Sequence, residues 1–488
     1  MAYSFKKLSF CGIDSSDFSL YTGDSSGKLM RWESVKTVEY AEILSKLFEE
    51  KLTGKAMPVA SEMTEGGHYI VLCASSLDVT EYSVKIEGGN VYITGGYLTI
   101  DNAYKAFLEE MLGYTEEGTD SDRVLDLTAA DNKFGTLDFK VPYNKKQLFE
   151  LFEEANKRDD MIISGTHVFG DKSNGFELQH TRDIIEEKAE NCCCAFEIDP
   201  ALFCRVEKNE AGEDILVDTL TDYDLSRVVS EAYNFISDGG ILSICMHLTN
   251  PTDNKDVAGR TYKGNIGGND NALVLMTEGT PLNAKFRQVM EPTLRVVRLL
   301  KKYNIPFLFR PLHEINGDWF WWCYRQRDGG EVLRQDVIVK LWRYIHYMLT
   351  EEEGVKDLAL WVYAPSPMFD NLHCYPGDEY VDIMGMDWYC GDLKPKAPTV
   401  PHPYGHALSK NKPMILAETG VGPQDMRPLY DCLDLLEFMK DLMRNGMNVA
   451  YFSTWTFRGS IANMIHNKEL LESPEVLNLA DLQKYWAK

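Results

Sequence analysis

From about Asp138 to the C-terminus, short apolar runs alternate with stretches in which apolar residues recur every three or four positions. The runs are Met161–Ser164, Cys194–Phe196, Ile241–Met246, Phe307–Phe309, Leu358–Val362, Val381–Met386, Met414–Ala417 and Val449–Phe452. Runs of this length without strict alternation are the signature of strands buried on both faces. Between them the periodicity predicts amphipathic helices, such as Leu294 to Lys302 and Asp431 to Arg444. Eight such units in ~340 residues predict an α/β fold, a (β/α)8 TIM barrel spanning 138–488. In that architecture the chemistry collects at the C-terminal ends of the strands.

Residues 1 to 115 follow another pattern and predict a small α/β accessory domain. Val38 to Leu52 has helical spacing, and His68 to Leu72 reads as a strand. Val84 to Ile86 and Val91 to Ile93 flank Glu87-Gly88-Gly89-Asn90, which predicts a β-hairpin. A helix follows from Asp101, an expected N-cap, to Leu112, with Gly113 ending it. The hairpin and its helix are similar to the small α/β domain ahead of the barrel in hexosaminidase- and glucuronidase-type glycosidases. The domain carries no candidate chemistry. The acidic, turn-rich stretch 116–137, introduced by Thr115-Glu116-Glu117-Gly118-Thr119-Asp120, predicts a linker.

The ends of the expected barrel strands hold polar groups in unusual density. The first leads to His167, the second to Glu197 and Asp199, and the third to His247 and Asn250. The fourth opens into Arg310-Pro311-Leu312-His313-Glu314-Ile315-Asn316-Gly317, followed by Trp319-Phe320-Trp321-Trp322. The sixth ends in Asp387-Trp388-Tyr389, the seventh in Glu418-Thr419-Gly420 and the eighth in Trp455. Strands four and seven lie across a barrel mouth, so Glu314 and Glu418 can face one another over a sugar. One carboxyl to protonate a leaving oxygen and one to attack an anomeric carbon is what glycoside hydrolysis requires. Flat indole rings stack on the C–H faces of pyranoses, which gives the tryptophans a use beside the acids.

The run from Arg310 to Glu314, with Asn316-Gly317 and the aromatic cluster, resembles the acid/base signature of glycoside hydrolase family 26, best known for β-mannanases. Ile415-Leu416-Ala417-Glu418-Thr419-Gly420 resembles the family's nucleophile motif. The likeness covers 138–488 and departs from the family at Cys323, where glycine is usual. It implies hydrolysis with retention, Glu314 as acid/base and Glu418 as nucleophile. It also implies that Tyr389 hydrogen-bonds the nucleophile and that Trp455 forms the floor of the cleavage subsite. His247, His313 and Trp319 are expected to bind substrate, with Phe320 and Trp321 packing inward. Neither cofactor nor metal is expected. The implied partner is a neutral β-glycan, β-1,4-mannan first, with β-1,3-xylan and mixed-linkage β-glucan as alternatives. A barrel that binds carbohydrate without cutting it would lack one carboxylate, and both are present.

Composition narrows the field further. A formal net charge of −25 disfavours nucleic acid and anionic membranes as partners. No apolar run approaches the ~20 residues of a membrane span. Met1 to Met30 shows no charged-then-apolar leader, and 11 cysteines make an odd number for a disulfide framework. Both features fit a cytoplasmic protein with reduced thiols; a secreted or cell-associated one follows if a leader has been trimmed. The triplet Cys192-Cys193-Cys194 lacks the spacing of zinc ligands. A metalloenzyme built on His313-Glu314 with His402 and His406 lacks the second histidine of a helical HExxH, since position 317 is glycine.

Overall fold

The computed structural model describes residues 5–23, 33–50, 54–74, 79–96, 98–114, 123–168, 177–252, 262–327, 329–367, 371–390, 402–421, 434–455 and 459–488. The chain divides into two compact units, Met1–Phe139 and Lys140–Lys488.

The larger unit is a closed parallel barrel. Its strands are β1 (Ile162–His167), β2 (Ala195–Ile198), β3 (Ile241–Cys245), β4 (Phe307–Arg310), β5 (Ala359–Tyr363), β6 (Ile383–Cys390), β7 (Met414–Val421) and β8 (Tyr451–Thr454). Each pairs in parallel with the next, and β8 returns to β1 through Tyr451↔Ile163 to Thr454↔Thr166. Every residue of β2, β3, β4, β5 and β8 is buried, which is why their sequences run apolar without alternation. All eight expected runs became strands. Gly165 is a packing requirement rather than a hinge. A Cβ there would lie 2.4 Å from the hydroxyl oxygen of Tyr451, whose ring fills that space.

The intervening helices explain their own ends. Pro281–Lys302 starts with Pro281 at a position that has no intrahelical partner for its nitrogen, and Thr280 accepts from the backbone N–H of Asn283. It turns Phe286, Val289, Val296, Val297 and Leu300 inward. The expected helix from Asp431 is described as Leu435–Arg444, capped by Asp434; 422–433 lie outside the described residues. A short strand, Val476–Leu477, pairs with the start of β1 at the N-terminal end of the barrel.

Two strands carry register shifts that matter for the site. Pairing between β6 and β7 slips between Met386 and Asp387, so that Asp387 comes to lie opposite Glu418. Between β7 and β8 it slips between Leu416 and Thr419. Such irregularities re-aim side chains at a barrel rim.

The smaller unit holds a five-stranded mixed sheet. Its order is Phe18–Thr22, His68–Ala74, Asn90–Gly95, Glu81–Glu87 and Lys133–Thr136. The helix Glu33–Phe48 carries the chain between the first two, which are parallel. The hairpin closes with Glu87 opposite Asn90, as its turn residues require. The helix after it starts at Ile100 with Thr99 at the N-cap position; Asp101 sits in its first turn instead of capping it. Gly113 follows its end with φ +66°.

The expected linker needs correction. Arg123–Leu127 pairs in parallel with Phe5–Phe10, and Lys133–Thr136 pairs antiparallel with Glu81–Glu87. The compact unit therefore runs to Phe139 rather than ending at 115, and 115–122 lie outside the described residues. Both strands are short and largely exposed, Arg123–Leu127 burying only Leu127 and Lys133–Thr136 none of its residues, so neither carries the continuous apolar run of a core strand.

Candidate active site

The site is built from β4 outward. Arg310, the last residue of that strand, is fully buried, and a buried guanidinium must be paired. Nη1 donates to Asp387 at 2.9 Å, and Nη2 donates to Glu197 at 2.7 Å and to Glu418 at 2.8 Å. Nε donates to the second oxygen of Glu197 at 3.1 Å. His167 at the end of β1 and Ser243 in β3 complete the shell of Glu197 at 2.6 and 2.9 Å. One cation thus ties the ends of β2, β4, β6 and β7.

Three carboxylates around one guanidinium cannot all be treated alike. Burial works against a charge on Glu197, yet Arg310 and His167 outweigh it and hold its carboxyl below the usual range. Asp387 goes the other way. Burial, with the charges of Glu418, Glu314 and Glu197, pushes it well above the usual range, and Arg310 only partly opposes this. Its Oδ1 is buried without a hydrogen-bond partner.

Beyond Arg310 the chain leaves the strand through Leu312 at φ +49° and Glu314 at φ +52°, both in the left-handed region. Non-glycine residues held there cluster at functional sites, because surrounding bonds must enforce the conformation. Here Glu314 N–H donates to the carbonyl of Ala364 at 2.8 Å, and the Glu314 carbonyl accepts from Gly317 N–H at 2.8 Å. Asn316 clamps the backbone of Ser366 from both sides, at 2.9 and 2.8 Å. Cys323, the departure from the family pattern, is buried beside this turn, and its thiol donates to the Glu314 carbonyl at 3.3 Å.

The two acids then meet opposite surroundings. Burial raises the pKa of Glu314 to about 8, helped by the charge of Glu418 and opposed by a hydrogen bond from the Trp319 indole. Glu418 has a donor on each oxygen: Arg310 on Oε1 at 2.8 Å and the Tyr389 hydroxyl on Oε2 at 2.5 Å. Burial, together with the charge of Glu418, pushes the Tyr389 phenol well up, so it keeps its proton and donates.

A cavity of ≈ 610 Å³ opens over these groups. All seven sequence-derived candidates line it: His247, His313, Glu314, Trp319, Tyr389, Glu418 and Trp455. Trp455 packs over His167 with ring centroids 4.2 Å apart, and Lys263 sits 4.2 Å over the ring of Phe320. Trp321 is buried, and its indole donates to the Leu248 carbonyl at 2.7 Å. Phe320 also stacks inward, on Trp322 at 4.3 Å, yet it contributes to the cavity wall, which its inward reading did not anticipate. Asn250, which follows β3, turns into its loop instead of the cavity. Its amide is spent on Asn265 and Thr252 within its own loop.

The chain matches the model of glycosyl hydrolase family 26 over residues 144–464, about two thirds of its length. The chain belongs to glycosyl hydrolase family 26. It is 30% identical over 261 residues to a mannan endo-1,4-beta-mannosidase of Bacillus subtilis, covering 52% of this chain and 66% of that protein. It is 27% identical over 253 residues to mannan endo-1,4-beta-mannosidase A and B of Caldalkalibacillus mannanilyticus, covering 52% and 47%. The chain thus spans between about half and just under two thirds of the length of these curated relatives. The solved structure of Bacillus subtilis mannanase BCman superposes with a TM-score of 0.56 at 24% identity, over 68% of this chain and 92% of that one. That likeness bears on the fold, a (β/α)8 barrel.

The family member's own residues also bear on metals. Among the described residues, ligand-type atoms come within 4.8 Å of one another in two trios, His167–Glu197–Cys245 and Asp199–Cys245–His247. In both, the imidazole nitrogen is already hydrogen-bonded to the carboxylate at 2.6 Å, so they read as polar networks. Neither contains His313 or Glu314. The Cys192–Cys194 thiols are buried, and that of Cys194 donates to the Leu477 carbonyl at 3.1 Å. His406 lies in the helix His402–Leu408 and belongs to neither trio.

Sequence reasoning recognised Glu314 and Glu418 but gave no role to Arg310, Glu197 or Asp387. The signal was present: an arginine closing an apolar strand has to find carboxylates on neighbouring strand ends.

Proposed function

We propose that the protein hydrolyses β-1,4-linked mannan or manno-oligosaccharides with retention of configuration. The observation that carries this is the unequal treatment of Glu314 and Glu418 in one cavity. Glu314, with its pKa near 8, is protonated at neutral pH and serves as general acid to the leaving oxygen. Glu418, oriented by Tyr389 and Arg310, attacks the anomeric carbon and forms a glycosyl ester. Esterification removes the Glu418 charge that raises the pKa of Glu314. Having given its proton to the leaving oxygen, Glu314 is then kept ionised and serves as base to the incoming water, taking one of its protons. Trp319 and Trp455 offer ring faces to the sugars. The choice of mannan rests on what the relatives are named for. β-1,3-Xylan and mixed-linkage β-glucan are the alternatives within the same chemistry.

Early product from a β-linked oligosaccharide, followed by NMR before mutarotation, is expected as the β-anomer. The α-anomer would mean inversion. A 2-fluoro glycoside should label the peptide containing Glu418; a label elsewhere moves the nucleophile. A screen of mannan, β-1,3-xylan and mixed-linkage glucan decides the polymer.

A further inference from the structure

Three side chains form a line across the ends of β2, β3 and β4. Asp199 Oδ2 lies 2.6 Å from His247 Nδ1, and the backbone N–H of His247 reaches both carboxylate oxygens, at 3.2 and 3.1 Å. His247 Nε2 lies 3.2 Å from His313 Nε2. His313 Nδ1 is buried and has no hydrogen-bond partner. A contact between two imidazole nitrogens can be a hydrogen bond in only one direction at a time, and the ends of the line choose it.

At the first end, a carboxylate can only accept, so the proton of His247 sits on Nδ1. In a neutral His247 the Nε2 is then a lone pair, and the proton in the 3.2 Å contact comes from His313 Nε2. A neutral His313 is left with a bare Nδ1. At the other end, the surroundings of that Nδ1 ask for the same state. A buried N–H without an acceptor is rarer and costlier than an unused lone pair. Neutrality of His313 agrees with its setting. Burial, with His247, Arg310, His167 and Lys263 nearby, holds its pKa well below the ordinary value.

We infer that Asp199 is a positioning residue for the acid/base: acting through His247, it fixes the tautomer and ring orientation of His313, the residue that precedes Glu314. Without the carboxylate, His247 can place its proton on Nε2. Two N–H groups would then face each other, or His313 would carry a buried N–H with nothing to accept it. Either strain is relieved by turning the His313 ring. That ring is wedged against Phe320 and Trp322, and its backbone carbonyl accepts from the Trp322 indole at 2.9 Å. Any turn is passed to the left-handed segment holding Glu314.

The test uses the full chain labelled with ¹⁵N-histidine. Its 10 histidines are assignable with His247→Gln and His313→Gln. Long-range ¹H–¹⁵N spectra at neutral pH should show His247 protonated on Nδ1 and His313 on Nε2. A proton on His313 Nδ1 in the parent protein overturns the inference, whether or not any variant folds. Asp199→Leu should lose the His247 signature and about 10- to 100-fold in kcat on mannan. On an activated aryl glycoside, which leaves without acid help, its loss of glycosylation rate should be under about 3-fold. Asp199→Asn keeps an acceptor and should retain the tautomers and most of the activity. Equal losses on both substrates, or equal losses in the two variants, would overturn the proposal. The kinetic arm rests on the hydrolysis proposed above; the spectroscopic arm does not, so a failure of one is distinguishable from a failure of the other.

Discussion

Glu314 stands on a turn with left-handed backbone, one indole donor and a desolvated face, whereas Glu418 stands in a strand with a phenol on one oxygen and a guanidinium on the other. Both are carboxylates in the same cavity. The difference teaches that role is assigned by surroundings. A buried carboxyl short of donors keeps its proton, and one with a donor on each oxygen is held in a fixed orientation toward an electrophile.

The comparison breaks most severely at Glu418. Glu418→Ala should abolish glycosyl-enzyme formation whatever the leaving group, with a loss on the order of 10⁵-fold or more. Residual turnover on activated aryl glycosides at near-parent rates would sink its assignment. Glu314→Ala should lose about 10²–10⁴-fold on polymer. On an activated aryl glycoside the first step should suffer far less, the intermediate should accumulate, and azide should restore turnover as the glycosyl azide. Equal losses on both substrates with no azide effect would remove Glu314 from the role.

Smaller changes sharpen the contrast. Tyr389→Phe deletes one of the two donors on Glu418 and should cost about 10- to 100-fold in kcat/KM, for polymer and aryl glycoside alike. A loss confined to polymer would show that the phenol serves the acid instead. The mildest effect concerns stability. The Glu314 carboxyl is raised from 4.5 to about 8 on folding. Its protonation therefore stabilises the fold fully below pH 4.5, and that contribution is lost as pH rises through about 8. Glu314→Gln cannot ionise, so its Tm should gain on the parent between pH 5 and pH 9, a difference worth a few kcal/mol at most, about 1.4 kcal/mol per unit. Melts whose separation does not change with pH would contradict the raised pKa. In the parent, hydrolysis of polymer should fall as pH passes about 8, where the acid loses its proton.

Much of this was legible in the chain because the barrel strands are buried on both faces and their ends are crowded with unlike groups. Phe307–Phe309 running into Arg310 and Glu314 announces both a strand and a site. What could not be read was partnership across the mouth. Arg310 is 113 residues from Glu197 and 108 from Glu418, and only closure of the barrel brings them together. The same limit explains the misread linker. Arg123–Leu127 is held by pairing with Phe5–Phe10, and no local pattern marks a short, largely exposed edge strand whose partner lies so far back along the chain.

The slipped pairing at the tips of β6 and β7 has a consequence for recombining this barrel with its relatives. Asp387 and Glu418 are opposite one another only because the two strands slip together, and Tyr389 reaches Glu418 from the same side of that offset. A chimera that imports one strand without the other would bring a carboxylate into a frame built for a different neighbour. The two strands are therefore a single unit of exchange, and crossover points belong before Ile383 and after Val421, never between them.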